Sequence, residues 1–379
     1  MSYSKIFSGD LPELIYNIIK YFHNDYSTLY SCVLVNRLWC RIMIPILWEN
    51  PFSIPIKNYN VIDIYLHYLN DDLKTKLNEY KINKLFPSTT LFNYPMFLKY
   101  LNIYKIISSV EKWSETFKTS QFSGEFFLIK DFKKFINMSL FIIFIENEVN
   151  LHTLEIEISI TYFNTYVDYI LEIILQYPIF IHKFRNLKIY ILINDKYIQI
   201  KNHQQFLQLI INYCKNIKFL DLYKFVWNEN YFLVLNLIES FNQNLNHLSI
   251  TIEDYQDRSN NIKCSSIILQ NLGQILPSKL EYLVLYIREN DFEIFLKNSQ
   301  NTSIKKLLIM QKDNDDIIYY IKNFIIKEKR VKYLAIWNSK YEGLPYFENE
   351  VKKFELYNIK LKYYYDLIFN LLNFEKELD

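Results

Sequence analysis

One short apolar pattern recurs eight times between residues 151 and 356, and it restricts the possible folds more than any other feature of the sequence. Each run carries apolar residues at its first, fourth and sixth positions. Successive runs start 20 to 35 residues apart, at Leu151, Phe184, Ile217, Leu245, Leu280, Ile304, Val331 and Val351. The alternation of positions four and six is typical of a strand with one buried face. A period of this length predicts stacked structural repeats.

Most of these runs follow a segment with helical spacing of its apolar residues. The helical segments are Tyr166–Gln176, Phe206–Cys214, Tyr231–Phe241, Ser265–Leu276, Phe292–Asn298 and Ile317–Lys327. A strand that alternates with a helix at this period stacks into a curved parallel sheet with the helices outside. The sequence therefore predicts an α/β solenoid, with a non-repeating α/β domain as the alternative.

Residues 150–360 resemble a degenerate leucine-rich repeat, because the apolar runs match the first, fourth and sixth positions of that repeat. The ninth position of the repeat is usually Asn or Cys, and none of the eight runs has either residue there. The resemblance therefore implies an irregular solenoid rather than a regular one. It also implies that residues 150–360 form a platform that binds a protein.

Side chains at positions five and seven of each run are predicted to face away from the buried side of the sheet. Position seven is rich in aromatic residues, which anchor protein interfaces well. The candidate client-binding residues are Tyr190, Tyr223, Tyr286, Trp337 and Tyr357. The alternative is that a chain with 33 tyrosines places several of them there without any functional reason.

The N-terminal residues 8–52 carry three helix-start signals in about forty residues. Asp10 with Glu13 forms a capping box, Asp25 or Ser27 can cap a second helix, and Asn36 can cap a third. So small a unit is marginal alone and gains stability by burying its surplus apolar surface on a partner.

This segment resembles the F-box along its full length. The resemblance rests on Leu11-Pro12-Glu13-Leu14, Ile18-Ile19, Val33-Leu34-Val35-Asn36-Arg37-Leu38-Trp39 and Leu47-Trp48. It implies binding to the SKP-type adaptor of a cullin-RING (SCF-type) ubiquitin ligase complex. The positions that match the adaptor face, or the core behind it, are Leu11, Pro12, Leu14, Ile18, Val33, Val35 and Trp39. The alternative is a plain three-helix cap on a solenoid.

Two further segments complete the predicted organisation. Residues 53–149 carry no visible repeat and are predicted to form a helical linking region. Residues 361–379 are predicted to form a C-terminal helix or tail. The expected fold class is therefore α/β: a three-helix F-box, a helical linker and an irregular leucine-rich-repeat solenoid with a curved parallel sheet.

Composition excludes several classes of function. A net charge of +2 gives no global reason to bind nucleic acid or an anionic membrane. Only four glycines occur, far apart, so a phosphate-cradling loop cannot be assembled. The six histidines and four cysteines lack metal-ligand or disulfide spacing, and no catalytic motif occurs. We therefore expect no cofactor, no metal, no enzymatic activity, free thiols, and a cytoplasmic or nuclear location.

The two resemblances together imply a substrate-recognition subunit of an SCF-type ubiquitin ligase. The N-terminal helices dock the SKP-type adaptor with its cullin complex, and the repeats present an unidentified client protein. The alternative is a leucine-rich-repeat scaffold that binds a protein partner and has no role in ubiquitination.

Overall fold

In the computed structural model, the chain forms two compact units, Met1–Leu151 and His152–Asp379. The structure describes residues 18–19, 22, 25–54, 60–80, 90–116, 126–159, 163–192, 201–223, 231–251, 260–287, 289–311, 317–321, 323, 330–338, 354–363 and 367. Each unit has its own buried core.

The N-terminal part of the first unit contains helices α1 (Tyr26–Val33) and α2 (Arg37–Leu47), and Ile18 and Ile19 are also helical. The sequence signals act as expected at both helix starts. The Asp25 carboxylate accepts from the Thr28 backbone N–H at 3.1 Å, and the Asn36 side-chain oxygen accepts from Leu38 N at 2.9 Å. Such caps satisfy backbone donors that the first helical turn leaves free.

A small core holds these helices together. Its fully buried members are Ile19, Leu29, Met43, Ile46 and Leu47, with half-buried residues such as Val33 and Trp39 packed against them. Pro45 lies inside α2, which continues for two residues beyond it.

The rest of the first unit is mainly helical. Its elements are α3 (Asn60–Leu66), α4 (Asp71–Glu79), the short strand β1 (Tyr100–Asn102), α5 (Ile103–Glu115) and α6 (Phe126–Glu146). Two polar contacts link these helices within the buried interior. The Trp113 indole N–H donates to Asp63 Oδ1 at 2.9 Å, and the Lys133 ammonium pairs with the Glu111 carboxylate. Buried polar groups need such partners to offset their lost hydration.

The second unit is a two-layer α/β arrangement. Its strands are β2 (Thr153–Ser159), β3 (Asn186–Leu192), β4 (Phe219–Tyr223), β5 (His247–Thr251), β6 (Lys279–Ile287), β7 (Ser303–Gln311), β8 (Val331–Asn338) and β9 (Lys360–Leu361). Its helices are α7 (Phe163–Gln176), α8 (Lys201–Tyr213), α9 (Tyr231–Ser240), α10 (Asn260–Ile275), α11 (Glu289–Asn298) and α12 (Ile317–Tyr320). Each strand from β2 to β8 pairs in parallel with the next strand along the chain, and this sheet does not close into a barrel. The predicted alternation of strand and helix is thereby confirmed for the described strands.

A column of leucines runs across all eight strands in direct register. Its members are Leu154, Leu187, Leu220, Leu248, Leu283, Leu307, Leu334 and Leu361. All except Leu361 are buried. Burial of one leucine side chain stabilises a fold by about 1.5–3 kcal/mol, so the seven buried members together contribute roughly 10–20 kcal/mol. It corresponds to the fourth position of the repeated pattern.

The approach to strands β3 to β6 repeats as well. The backbone N–H groups of Arg185 and Asn186 both donate to the carbonyl of His152, at 2.9 and 3.0 Å. The same two-to-one arrangement recurs at the carbonyls of Arg185, Lys218 and Asn246. The repeat is therefore defined by the backbone as well as by the apolar side chains.

Consecutive helices from α7 to α12 contact each other and form the second layer. Gly273 marks a close approach of α10 to α11. A Cβ atom added at this position would lie only 2.9 Å from the Asn298 backbone carbon and from the Phe295 carbonyl oxygen of α11. Glycine therefore allows α10 and α11 to pack at this distance.

The strand predicted for the eighth run is wrong. Phe354 is buried in a helical turn, and Leu356 is 82% exposed in the turn that follows. Asn358 has a positive φ of 61°, which reverses the chain before β9 begins at Lys360. The three-residue spacing between the first and fourth positions also fits one face of a helix, so the pattern did not distinguish a helical turn from a strand here.

None of the helices in the described part of the chain is long and apolar enough to cross a lipid bilayer.

Candidate protein-binding surfaces

Five large apolar side chains of the described residues between 18 and 35 are exposed. We call Ile18, Phe22, Tyr30, Leu34 and Val35 the N-terminal apolar surface. Leu34 is 75% exposed and Val35 is 52% exposed, although both are large aliphatic residues. They form the turn between α1 and α2, where their backbone N–H groups donate to the carbonyls of Ser31 and Cys32.

The local sequence explains why these residues stay outside the core. Asn36 must be extended to cap α2, and this directs the preceding turn away from the packed helix faces. Tyr30 lies one helical turn before Leu34, and the i, i+4 spacing places both on one side of α1.

The predicted adaptor-binding residues fall into three groups. Leu11, Pro12 and Leu14 lie outside the described residues. Ile18 and Val35 are exposed members of the N-terminal apolar surface. Val33 and Trp39 are half-buried and pack against the core behind it.

Phe22, Tyr30 and Leu34 were not among the predicted adaptor-binding residues. The sequence did indicate that Leu34 is exposed, because an apolar residue in a turn between two helices has no helical face on which to be buried.

The second candidate surface lies on the sheet of the second unit. We call the side chains at positions three, five and seven of strands β2 to β9 the strand face, opposite the leucine column. Its two halves differ at position five. On β2 to β5 this position is polar and half-buried, and reads Glu155, Lys188, Asp221 and Ser249. On β6 to β8 it is apolar and buried, and reads Val284, Leu308 and Ala335.

Leu367 covers the apolar half of the strand face. It forms one buried cluster with Tyr282, Val284, Leu308 and Ala335, and it is only 2% exposed. Trp337 and Met310 are partly buried against the same cluster. Leu367 thus occupies part of the face that the sequence predicted to be open.

The polar half of the strand face, on β2 to β5, is the exposed half, and it carries a pair of predicted client-binding residues. The rings of Tyr190 and Tyr223 lie side by side on β3 and β4, with centroids 5.9 Å apart and planes inclined by 52°. The Tyr190 hydroxyl donates to Asp221 Oδ2 at 3.2 Å, which fixes the orientation of its ring. Both side chains are half-buried, so each retains accessible surface for a partner.

Neither Trp337 nor Tyr357 joins this pair. Trp337 packs at the covered half of the strand face, and Tyr357 lies in the turn before β9 rather than on a strand. Tyr286 lies on β6, but its side chain is outside the described part of the structure.

On β2 to β6, position three of the strand face is a buried row that includes His247 on β5. The imidazole stacks on the Phe219 ring, with centroids 4.1 Å apart and planes inclined by 17°. Neither ring nitrogen has a hydrogen-bond partner among the described residues. Burial, with the nearby charge of Lys188, lowers the pKa of His247 to about 3, so the ring is neutral at physiological pH.

The described residues contain no group of three or more His, Cys, Asp or Glu side chains that could hold a metal ion. Cys32, Cys40 and Cys214 are free thiols. Burial raises the pKa of the Cys214 thiol to about 12, and its Sγ lies 3.1 Å from the Ile181 carbonyl oxygen, to which it donates. This thiol is therefore a structural group rather than a nucleophile.

No protein-family model, curated protein or solved structure matches this chain. The two surfaces therefore supply the functional argument.

Proposed function

We propose that this chain is a non-catalytic substrate receptor of an SCF-type cullin-RING ubiquitin ligase. The N-terminal helices dock the SKP-type adaptor, and the strand face of the second unit holds a client protein. The receptor acts by proximity, because it raises the effective concentration of the client near the ubiquitin-charged enzyme. The chemistry of ubiquitin transfer belongs to other subunits.

The observation that carries this proposal is the N-terminal apolar surface. A patch of exposed apolar side chains marks an interaction site, and five large apolar side chains of the described residues between 18 and 35 are exposed. Ile18 and Val35, two positions that the F-box resemblance assigned to the adaptor face or its core, are among these exposed residues. Val33 and Trp39, from the same set, are half-buried and pack against the core of the N-terminal helices.

Client binding is assigned to the exposed half of the strand face. This half offers the Tyr190–Tyr223 pair beside Glu155, Lys188 and Asp221. Tyrosines combine a large apolar area with a hydroxyl that can donate or accept, and they frequently dominate binding energy at interfaces. The charges of both signs around them favour a polar protein segment over a purely apolar one.

The test is co-purification of the full chain with an SKP-type adaptor, and it uses two leucines of one unit. Leu34 is 75% exposed within the N-terminal apolar surface, and Leu91 is 91% exposed outside it. We expect Leu34→Arg to weaken adaptor binding by roughly ten- to a hundredfold, because the burial of one leucine is worth about 1.5–3 kcal/mol. Leu91→Arg is the matched control and is expected to bind the adaptor as the unmodified chain does.

A protein-binding scaffold with no role in ubiquitination is the second candidate. The Tyr190–Tyr223 pair supports it as well as the first, because it needs no adaptor. The same experiment separates the two. If the unmodified chain does not retain the adaptor at micromolar concentrations, the receptor proposal fails and the scaffold is favoured. Equal loss of binding in both leucine variants also contradicts the assignment of the surface.

A further inference from the structure

A cationic pocket lies at the C-terminal end of the sheet, away from the Tyr190–Tyr223 pair. Its volume is about 400 Å³, within the range of small-ligand sites. Its lining residues are Lys305, Lys306, Tyr333, Lys360, Lys362 and Leu367. We call this site the lysine pocket.

Strand register explains why these residues converge. Lys306, Tyr333 and Lys360 occupy position three of β7, β8 and β9 and are paired in direct register. Adjacent strands are about 4.8 Å apart, so the two lysines flank the tyrosine with Cα atoms roughly 10 Å apart. Lys362 follows Lys360 by two residues, and this spacing places both on the same side of the extended chain.

Two of the four lysines are fixed by neighbouring side chains. Lys305 pairs with Glu281 at 2.6 Å, and this hydrogen bond raises the pKa of Lys305. Lys306 donates to the Tyr282 hydroxyl, and its ammonium lies 4.1 Å from the Tyr282 ring centroid. Both cations therefore have preferred positions at the wall of the pocket.

The other two lysines carry charge that no described residue neutralises. The ammonium groups of Lys360 and Lys362 form no ion pair within the described part of the chain. Both side chains are exposed, so they can move toward a ligand without breaking an existing contact. Two uncompensated positive charges in one concave site attract an anion of matching charge.

We propose that the lysine pocket binds a phosphate group through Lys306, Lys360 and Lys362. A phosphate monoester carries close to two negative charges at neutral pH and presents three acceptor oxygens. It therefore matches two free ammonium groups, whereas a carboxylate neutralises only one. Tyr333 supplies a further hydroxyl at the wall, and Leu367 forms an apolar side that limits competing hydration. This site goes beyond the proposed receptor function and does not depend on it.

The test measures binding of pyrophosphate to the full chain by isothermal titration calorimetry at constant ionic strength. The variant Lys360→Gln with Lys362→Gln removes the two free charges. The matched control is Lys183→Gln with Lys215→Gln, which removes two exposed lysines of the same unit outside the pocket. Both double variants have the same net charge, so a difference between them reports a local site rather than long-range attraction. Circular dichroism establishes that all three proteins are folded.

We expect the pocket variant to bind pyrophosphate at least tenfold more weakly than the control variant. Affinity for the unmodified chain should also fall as sodium chloride is raised, because ion pairing at an exposed site is screened. The proposal is overturned if the unmodified chain binds pyrophosphate no better than chloride. It is equally overturned if the two double variants bind alike.

Two further arms identify the source of the phosphate group. One uses inorganic phosphate, and the other compares a phosphoserine peptide with its unphosphorylated form. Binding of the free ions alone indicates a small phosphorylated molecule, and preferential binding of the phosphopeptide indicates a protein-borne group. No adaptor or client takes part, so failure here leaves the proposed receptor function to its own test.

Discussion

The buried imidazole of His247 should make the stability of the second unit depend on pH. The ring is fully enclosed, stacks on Phe219 and has a pKa lowered from 6.5 to about 3. Between these values the unfolded chain binds a proton at His247 that the folded chain does not bind. The stability is therefore complete above pH 6.5 and is lost progressively as the pH falls toward the folded-state pKa.

The size of the effect follows from the two pKa values. At pH ~5.5, one unit below the unfolded-state pKa, this histidine alone lowers the free energy of unfolding by about 1.4 kcal/mol relative to pH ~7.5. Lys188 on β3 contributes to the low pKa, although burial is the larger cause.

Urea unfolding of the unmodified chain and of His247→Phe at both pH values measures this contribution. Phenylalanine keeps an aromatic ring against Phe219 but cannot bind a proton. All other titrating groups are shared, so they cancel when the two pH dependences are subtracted. His182→Phe is the control, because His182 is exposed in the same unit. The reasoning is refuted if His247→Phe retains the pH dependence of the unmodified chain.

Two further predictions concern packing in the second unit. Gly273→Ala should lower the free energy of unfolding by about 1–3 kcal/mol, because the added Cβ collides with the backbone of α11. Gln274→Ala, at an exposed position of the same helix, is the control and should have little effect. Thermal unfolding compares them, and equal melting temperatures would rule out the close approach. Leu367→Ala should lower the free energy of unfolding by about 2–5 kcal/mol, because it leaves a cavity in the cluster that contains Val284. Leu356→Ala, at an 82% exposed leucine, should leave the free energy of unfolding almost unchanged. Urea denaturation measures both variants, and an unaffected Leu367 variant would contradict its place in the core.

Local pattern was enough to predict seven of the strands. A position that carries leucine in every strand is buried by the same neighbours in each repeat, so its sequence signal is strong and its spacing is readable. The helix starts at Asp25 and Asn36 were predictable for a similar reason, because a cap acts within three residues.

Contacts between distant residues were not predictable in this way. The sequence suggested an open strand face, but Leu367 covers Leu308 and Ala335, which precede it by many residues. Periodicity describes how a strand is buried by its neighbours in the repeat and contains no information about a segment that returns over the sheet. The failed strand at Phe354 and Leu356 has a related cause, because only pairing with β8 shows that the ninth strand begins later, at Lys360.

The position of Leu367 also has a consequence for cooperativity. In a stack where each strand pairs only with its neighbours, opening can spread one repeat at a time from the ends. Leu367 lies in one buried cluster with Val284 on β6, Leu308 on β7 and Ala335 on β8, and so links three repeats that would otherwise open in succession. We therefore expect the amides of β6 to β8 to exchange with solvent as a single block, while those of β2 to β5 exchange in steps.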